Sequence, residues 1–172
     1  MYLLDTSVVS VLVDAKAAAH AAAQQFHSET NAGDLFLCVV TLAEMDFGYE
    51  MLKRRKQAVS AERLREVETR VAAARKVAES IEITRHVAKE HASLRAAYAF
   101  FVARKAAESG SLKKKPPEMW HEDWPASRLQ TTENDLWIAA TALAHDFTLV
   151  TRDTGFPKVQ QAAPALKLRV LP

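Results

Sequence analysis

Asp5, Glu44, Asp135 and Asp153 each stand where an apolar run of the chain gives way to a polar one or the reverse. Asp5 closes Met1-Tyr-Leu-Leu4, and Glu44 comes shortly after Leu35-Phe-Leu-Cys-Val-Val40. Asp153 follows Phe147-Thr-Leu-Val150, and Asp135 opens the stretch Leu136 to Ala144, which is apolar apart from Thr141. Four converging carboxylates repel one another and resist desolvation unless a counter-charge neutralises them. Hard divalent cations with oxygen ligands do this, and Mg²⁺ or Mn²⁺ suits an all-carboxylate site. No His or Cys cluster points to zinc. An ion that keeps waters and grips phosphate oxygens suits phosphodiester hydrolysis. One such ion acidifies the attacking water, and a second, about 3.5–4 Å away, steadies the leaving oxygen.

Each acid also has a purely structural role available. Glu44 completes the capping-box spacing Thr41-Leu-Ala-Glu44. Asp135 complements a helix dipole, and Asp153 can hold its own turn. Asp5 is hardest to explain that way, because an acid ending an apolar strand beside a buried helix is costly without a partner. The conjunction of the four carries more weight than any one.

The elements that must position these acids alternate in type. Residues 1–5 read as a strand, Thr6 and Ser7 open a short helix, and an alanine-rich helix covers roughly 15–27. Leu35 to Val40, with its β-branched residues, reads as a buried parallel strand, and a helix starts at Thr41. Residues 61–79 carry Leu64, Val67, Val71, Ala74 and Ala78 on one face of an amphipathic helix. Ile81-Glu-Ile83 reads as a short edge strand. A long helix from about 86 to 109 follows, with Val87, His91, Leu94, Tyr98 and Phe101 along one stripe. Thr132 caps a helix from Glu133 to His145 that is buried almost all round, Trp137 included. Phe147 to Val150 and Leu168 to Leu171 read as further strands. Strands alternating with helices predict an α/β fold, a three-layer α/β/α sandwich with a mainly parallel sheet. In such sheets ligands bind at the carboxyl ends of the strands. Asp5, Glu44 and Asp153 meet that rule, and Asp135 joins them if its helix end faces the same edge. Asp146 precedes its strand, and Asp46 and Glu50 lie further along their helix, so these three do not.

The chain of 172 residues fits one domain over 1–172 with a real core. Its apolar share of 49% and charged share of 26% are those of an ordinary globular protein. A net charge of +2 permits a nucleic-acid partner without requiring one. The lone Cys38 lies in an apolar run and suits a reducing compartment. With neither a signal peptide nor a membrane span evident, the expected location is cytoplasmic.

The segments Met1-Tyr-Leu-Leu-Asp5-Thr-Ser-Val-Val9, Val39-Val-Thr41-Leu-Ala-Glu44, Asn134-Asp135-Leu-Trp-Ile-Ala-Ala-Thr-Ala-Leu-Ala-His145 and Leu149-Val-Thr151-Arg-Asp153 resemble the four motifs of PIN-domain nucleases, in order and across essentially the whole chain. The subgroup they look most like is the VapC-type toxins of bacterial toxin–antitoxin pairs. The resemblance implies an α/β/α sandwich, Mg²⁺- or Mn²⁺-dependent cleavage of RNA that leaves a 5′-phosphate, homodimerisation and inhibition by a small cognate antitoxin. It assigns Asp5, Glu44, Asp135 and Asp153 to the acidic metal-binding positions, with Thr6 and Thr151 as supporting hydroxyls. Simple helix or turn capping is the other role open to those two threonines.

Two features depart from the family pattern. Ser7 stands where Asn is common, which puts a hydrogen bond behind the metal ligands in doubt. Residues 110–130 form a longer loop than usual, bearing Lys113-Lys-Lys-Pro-Pro117, Trp120, His121 and Trp124. Basic residues beside aromatics can grip phosphates and stack unpaired bases. Equally, the tryptophans can tuck onto the body of the domain. The run Lys53-Arg-Arg-Lys56 reads as a solvated helix face.

Other chemistries fit less well. An aspartyl-phosphate phosphatase wants a second acid two residues after Asp5, where Ser7 stands. A phosphate-receiver domain wants paired N-terminal acids, and no Gly-rich phosphate loop is present. The alternatives to a toxin are a housekeeping RNA-processing PIN nuclease and an inactive PIN-like module that binds RNA or protein.

Overall fold

The structure, a computed structural model, describes residues 1–55, 59–122 and 131–172. Lys56 and Trp124 lie outside the described residues, as do the side chains of Lys113, Lys114 and His121. Five strands form one sheet: β1 (Tyr2–Leu4), β2 (Leu35–Cys38), β3 (Glu79–Ile81), β4 (Thr148–Thr151) and β5 (Lys167–Val170), in the order β3-β2-β1-β4-β5. All run parallel, with Leu3 opposite Phe36 and Leu37 opposite Ser80. Parallel neighbours cannot be joined by tight hairpins, so each connection passes through helix. The described residues hold eight α-helices: α1 (Thr6–Leu12), α2 (His20–Glu29), α3 (Val39–Arg54), α4 (Ala61–Ala74), α5 (Arg85–Val102), α6 (Arg104–Glu108), α7 (Glu133–Ala144) and α8 (Phe156–Ala162). The expected α/β class and parallel sheet are what the chain forms. The strand order reverses between β1 and β4, so their carboxyl ends flank the crevice where such sheets take ligands.

The chain divides into two compact units. The first comprises Met1–Glu82, Val150–Arg152 and Val170–Pro172; the second comprises Ile83–Leu149 and Asp153–Arg169. In the first, Leu4, Leu35, Leu37 and Val150 meet Val8, Val9 and Leu12 of α1, Ala23 and Phe26 of α2 and Ala74 of α4 in one buried cluster. Each fully buried leucine or valine there contributes roughly 1.5–3 kcal/mol. In the second unit α5 lies against α7, and α8 packs on both. Thr84 caps α5 by accepting from the Val87 amide at 3.2 Å.

Several boundaries differ from expectation. The alanine-rich helix begins at His20, after Asp14 Oδ1 accepts from the Lys16 amide at 3.0 Å and turns the chain. Val39 and Val40 belong to α3 rather than to β2, because Cys38 is the N-cap of that helix. Thr41 therefore caps nothing; it is fully buried, and its Oγ1 makes no hydrogen bond among the described residues. The edge strand is Glu79–Ile81, two residues early. The long helix breaks at Ala103 (φ −144°), and its buried stripe continues from Tyr98 to Val102. Phe101 is 49% exposed, and Val102 takes the buried place four residues after Tyr98. Trp137 is only half-buried, with its ring stacked on His91 at 3.7 Å. Trp120 is 1% exposed, which realises the tucked reading of the loop at that residue.

Candidate active site

Asp5 is the N-cap of α1, placed there by the last residue of β1. Its amide donates to the Val150 carbonyl at 2.9 Å, which holds it against the neighbouring strand. Its Oδ2 accepts from Ser7 Oγ at 2.6 Å, Thr151 Oγ1 at 2.8 Å and the Ser7 amide at 3.3 Å. Ser7 Oγ in turn accepts from the Arg152 amide at 3.0 Å. All these residues belong to the first unit and to the carboxyl ends of β1 and β4. Asp5 is 3% exposed, and burial raises its pKa, with the Ser7 and Thr151 hydroxyls pulling it partly back. Among the described residues no basic side chain pairs with it. A carboxylate desolvated this far and held only by neutral donors presents negative charge to a cation from outside.

Glu44 is in the second turn of α3, and its Oε2 accepts from Thr6 Oγ1. It is thus not a capping acid. Thr6, on the first turn of α1, ties the Glu44 carboxylate to the residue after Asp5. Thr151 bonds Asp5 itself, so both threonines donate to a carboxylate. Ser7 was the residue whose contribution stood in doubt. Its hydroxyl both donates to Asp5 and accepts from Arg152, closing a bridge between the two strand ends. The legible signal was its spacing: a serine two residues after a capping acid is placed to return a bond to it.

The second unit holds the other two acids, each in a local turn. Asp135 makes a capping box with Thr132. Its Oδ2 accepts from the Thr132 amide at 2.6 Å and hydroxyl at 2.9 Å, and its own amide donates to Thr132 Oγ1 at 3.2 Å. Asp153 Oδ1 accepts from the Gly155 amide at 2.6 Å, just before α8. The structural roles open to both are therefore realised, and each role fixes the carboxylate at an element's start. Among the described residues, no group of three or more His, Cys, Asp or Glu side chains forms a ready metal cage. What fits a hard cation is the chemistry of the donors: oxygen only, with Asp5 buried and unpaired by any described cation.

His91 lies beside the start of α7, stacked on Trp137 with an angle of 4° between the rings. Its Nε2 is 2.9 Å from Glu133 Oε1 but out of line for a hydrogen bond, and Arg95 shares that oxygen at 3.4 Å. Burial, aided by Arg95, lowers the His91 pKa to about 4. A histidine depressed in the fold supports stability above its unfolded pKa, and that support is lost as pH falls through the folded value. Denaturant titration of the wild type should show a loss on the order of 2 kcal/mol between pH 7 and pH 5. His91→Gln should remove most of that slope; an unchanged slope would mean His91 is charged in the fold.

A buried carboxylate at the switch point of an all-parallel sheet, tied to both flanking strands, stands where α/β proteins of this class take ligands. The sequence matches the PIN domain over residues 2–162, and the chain belongs to that family. PIN domains are generally nucleases. Among solved structures, FitAcB from Neisseria gonorrhoeae is similar with a TM-score of 0.64 and 21% identity, over 98% of this chain and 96% of that one. VapBC2 from Rickettsia felis, bound to a promoter DNA fragment, gives 0.61 and 18%, over 99% and 98%. VapBC-5 from Mycobacterium tuberculosis, a member of the VapBC family of toxin–antitoxin systems, gives 0.56 and 20%, over 98% and 96%. At these identities the likeness is one of fold. No curated protein matches the sequence.

Proposed function

We propose that this protein is a divalent-metal-dependent endoribonuclease, the toxin of a toxin–antitoxin pair, acting through Asp5, Glu44, Asp135 and Asp153. The observation that carries this reading is Asp5: a carboxylate 3% exposed, at the switch point, bonded by two hydroxyls and paired with no described basic side chain. Burial of this kind is maintained where a cation is to be received. Mg²⁺ or Mn²⁺, when bound, supplies the positive charge that acidifies an attacking water and offsets charge building on the phosphate. The chain's own residues aim the ligands. Ser7 and Thr151 fix the rotation of the Asp5 carboxylate, Thr6 that of Glu44, Thr132 that of Asp135 and the Gly155 amide that of Asp153. Hydrolysis forms a bond from water oxygen to phosphorus and breaks the bond to the 3′ oxygen, leaving a 3′-hydroxyl and a 5′-phosphate.

The similar VapBC structures are of toxin–antitoxin systems by their own description, and they support a cognate antitoxin as partner here. An arginine or lysine from that partner, set among the carboxylates, is the simplest inhibitor because it replaces the metal's charge. Homodimerisation and action in the cytoplasm complete the proposal. Among the described residues no helix is long and apolar enough to cross a membrane.

Purified protein should cleave RNA in Mg²⁺ or Mn²⁺ and stop in EDTA, with activity restored by excess metal. Products should carry a 5′-phosphate, read by their susceptibility to a 5′-phosphate-dependent exonuclease. Robust cleavage in EDTA, or a 2′,3′-cyclic phosphate end, would overturn the mechanism.

A further inference from the structure

The Lys- and Trp-bearing segment after α5 takes no part in the acidic site, yet it builds a groove within the second unit. Trp120 Nε1 and Arg95 Nη2 both donate to the Lys115 carbonyl, each at 2.9 Å. The Trp120 ring lies 6.2 Å from that of Tyr98, so the segment is laid along α5. A groove of about 630 Å³ remains, with His91, Ala96 and Phe100 along one wall and Leu112 and Trp120 along the other. His91 marks one end, beside Glu133 and two residues short of Asp135 in sequence. Phe100 marks the other end, nine residues on, which is about 14 Å along a helix.

Phe100 is 50% exposed and Phe101, its neighbour, 49%. Phe100 lines the groove, and Phe101 beside it on α5 adds a second exposed ring next to that wall. The chain that follows is strongly basic. Residues 104–115 hold five Lys or Arg against one acid, a charge of +4 in twelve residues, whereas the whole chain carries only +2. Arg104 is 79% exposed and tied only to Glu108 at 3.1 Å, a surface pair of little strength. Lys105 is exposed and Lys115 half-buried.

We propose that this groove and the basic stretch of residues 104–115 bind a single-stranded stretch of RNA. Phe100 and Phe101 stack unpaired bases there, and Arg104, Lys105 and Lys115 meet phosphates. The inference rests on the ribonuclease reading above and adds to it a surface that holds substrate away from the acids. Aromatics supply sequence-tolerant stacking, and clustered cations track the backbone. A protein-docking core would be poor in lysine. Trp120, which the sequence offered as a stacking ring, is instead the buried prop that forms the groove.

The test is anisotropy of a fluorescein-labelled short oligouridine in EDTA, so that binding is read without cleavage. Phe100→Ala/Phe101→Ala should weaken binding at least about tenfold. Arg104→Glu/Lys105→Glu should weaken it and lower the salt slope by about one for each phosphate no longer gripped. Lys167→Glu, outside the segment, should bind as the wild type does. Exposed positions tolerate these changes, and thermal melts verify that the variants fold. Wild-type affinity and salt slope in both double variants would overturn the proposal, as would a wild type that binds no oligouridine. Loss of binding to a protein partner with RNA binding intact would reassign the surface to that partner and overturn it too. If the wild type binds in EDTA but never cleaves with metal, the nuclease reading fails and this surface stands.

Discussion

Asp5→Asn should abolish RNA cleavage, by about a thousandfold or more, while leaving the apo protein as stable as the wild type at neutral pH or more so. On the proposed reading, the first half follows from removing a charge that would hold the metal, an effect of several kcal/mol, each factor of ten in rate being about 1.4 kcal/mol. The second half follows from burial. The Asp5 carboxyl is desolvated, and its raised pKa says that the fold disfavours its ionised form. Asparagine keeps an oxygen to accept from Ser7 and Thr151 and removes the charge. Activity and melting temperature measured on the same preparation separate the two effects. An inactive variant that has also lost much stability would make Asp5 a structural cap of α1 and nothing more.

Expression of the wild type alone should arrest growth of its host, and expression of Asp5→Asn should not. Co-expression of the partner should restore growth to the wild type. The reasoning is chemical: on the proposed reading, an RNA hydrolase fed by cellular Mg²⁺ harms its host unless a molecule that occupies the acids restrains it. Growth curves after induction, with protein levels matched by immunoblot, read the outcome. Harmless accumulation of active wild type in its own host would sink the toxin reading and favour a housekeeping RNA-processing nuclease.

The sheet was legible because its strands are short apolar runs broken by acids and caps, and because parallel strands must alternate with helices. Boundaries failed where a residue's preference and its place in the fold disagree. Val39 and Val40 favour strands, but the chain turns into α3 at Cys38, and their β-branched side chains serve in a helix. That shift removed the apparent capping box at Thr41 and left Glu44 to meet Thr6, a contact across 38 residues that local spacing cannot announce. The Thr132–Asp135 box had the opposite fate. It is written in four adjacent residues and forms as written. Trp137 shows a third limit: an apolar neighbourhood does not say which side of a helix a ring takes, and here it takes the side of His91. The hydroxyls bonded to Asp135 and, through Ser7, to Asp5 are close in sequence, whereas Thr6 reaches Glu44 and Thr151 reaches Asp5 across 38 and 146 residues.

The bond from Thr151 to Asp5 joins residues 146 positions apart. On the ribosome, Asp5 emerges 146 residues ahead of Thr151. At about 5–20 residues per second, roughly 7–30 s of synthesis separate the two. Throughout that interval the nascent chain holds the aspartate without the strand that anchors its amide through Val150. A chain that stops before β4 keeps only the local bonds from Ser7 to this carboxylate and lacks the one from Thr151. Completion of the Asp5 hydrogen-bond set is therefore a late event in synthesis, set by the arrival of β4 rather than by the helix that Asp5 caps.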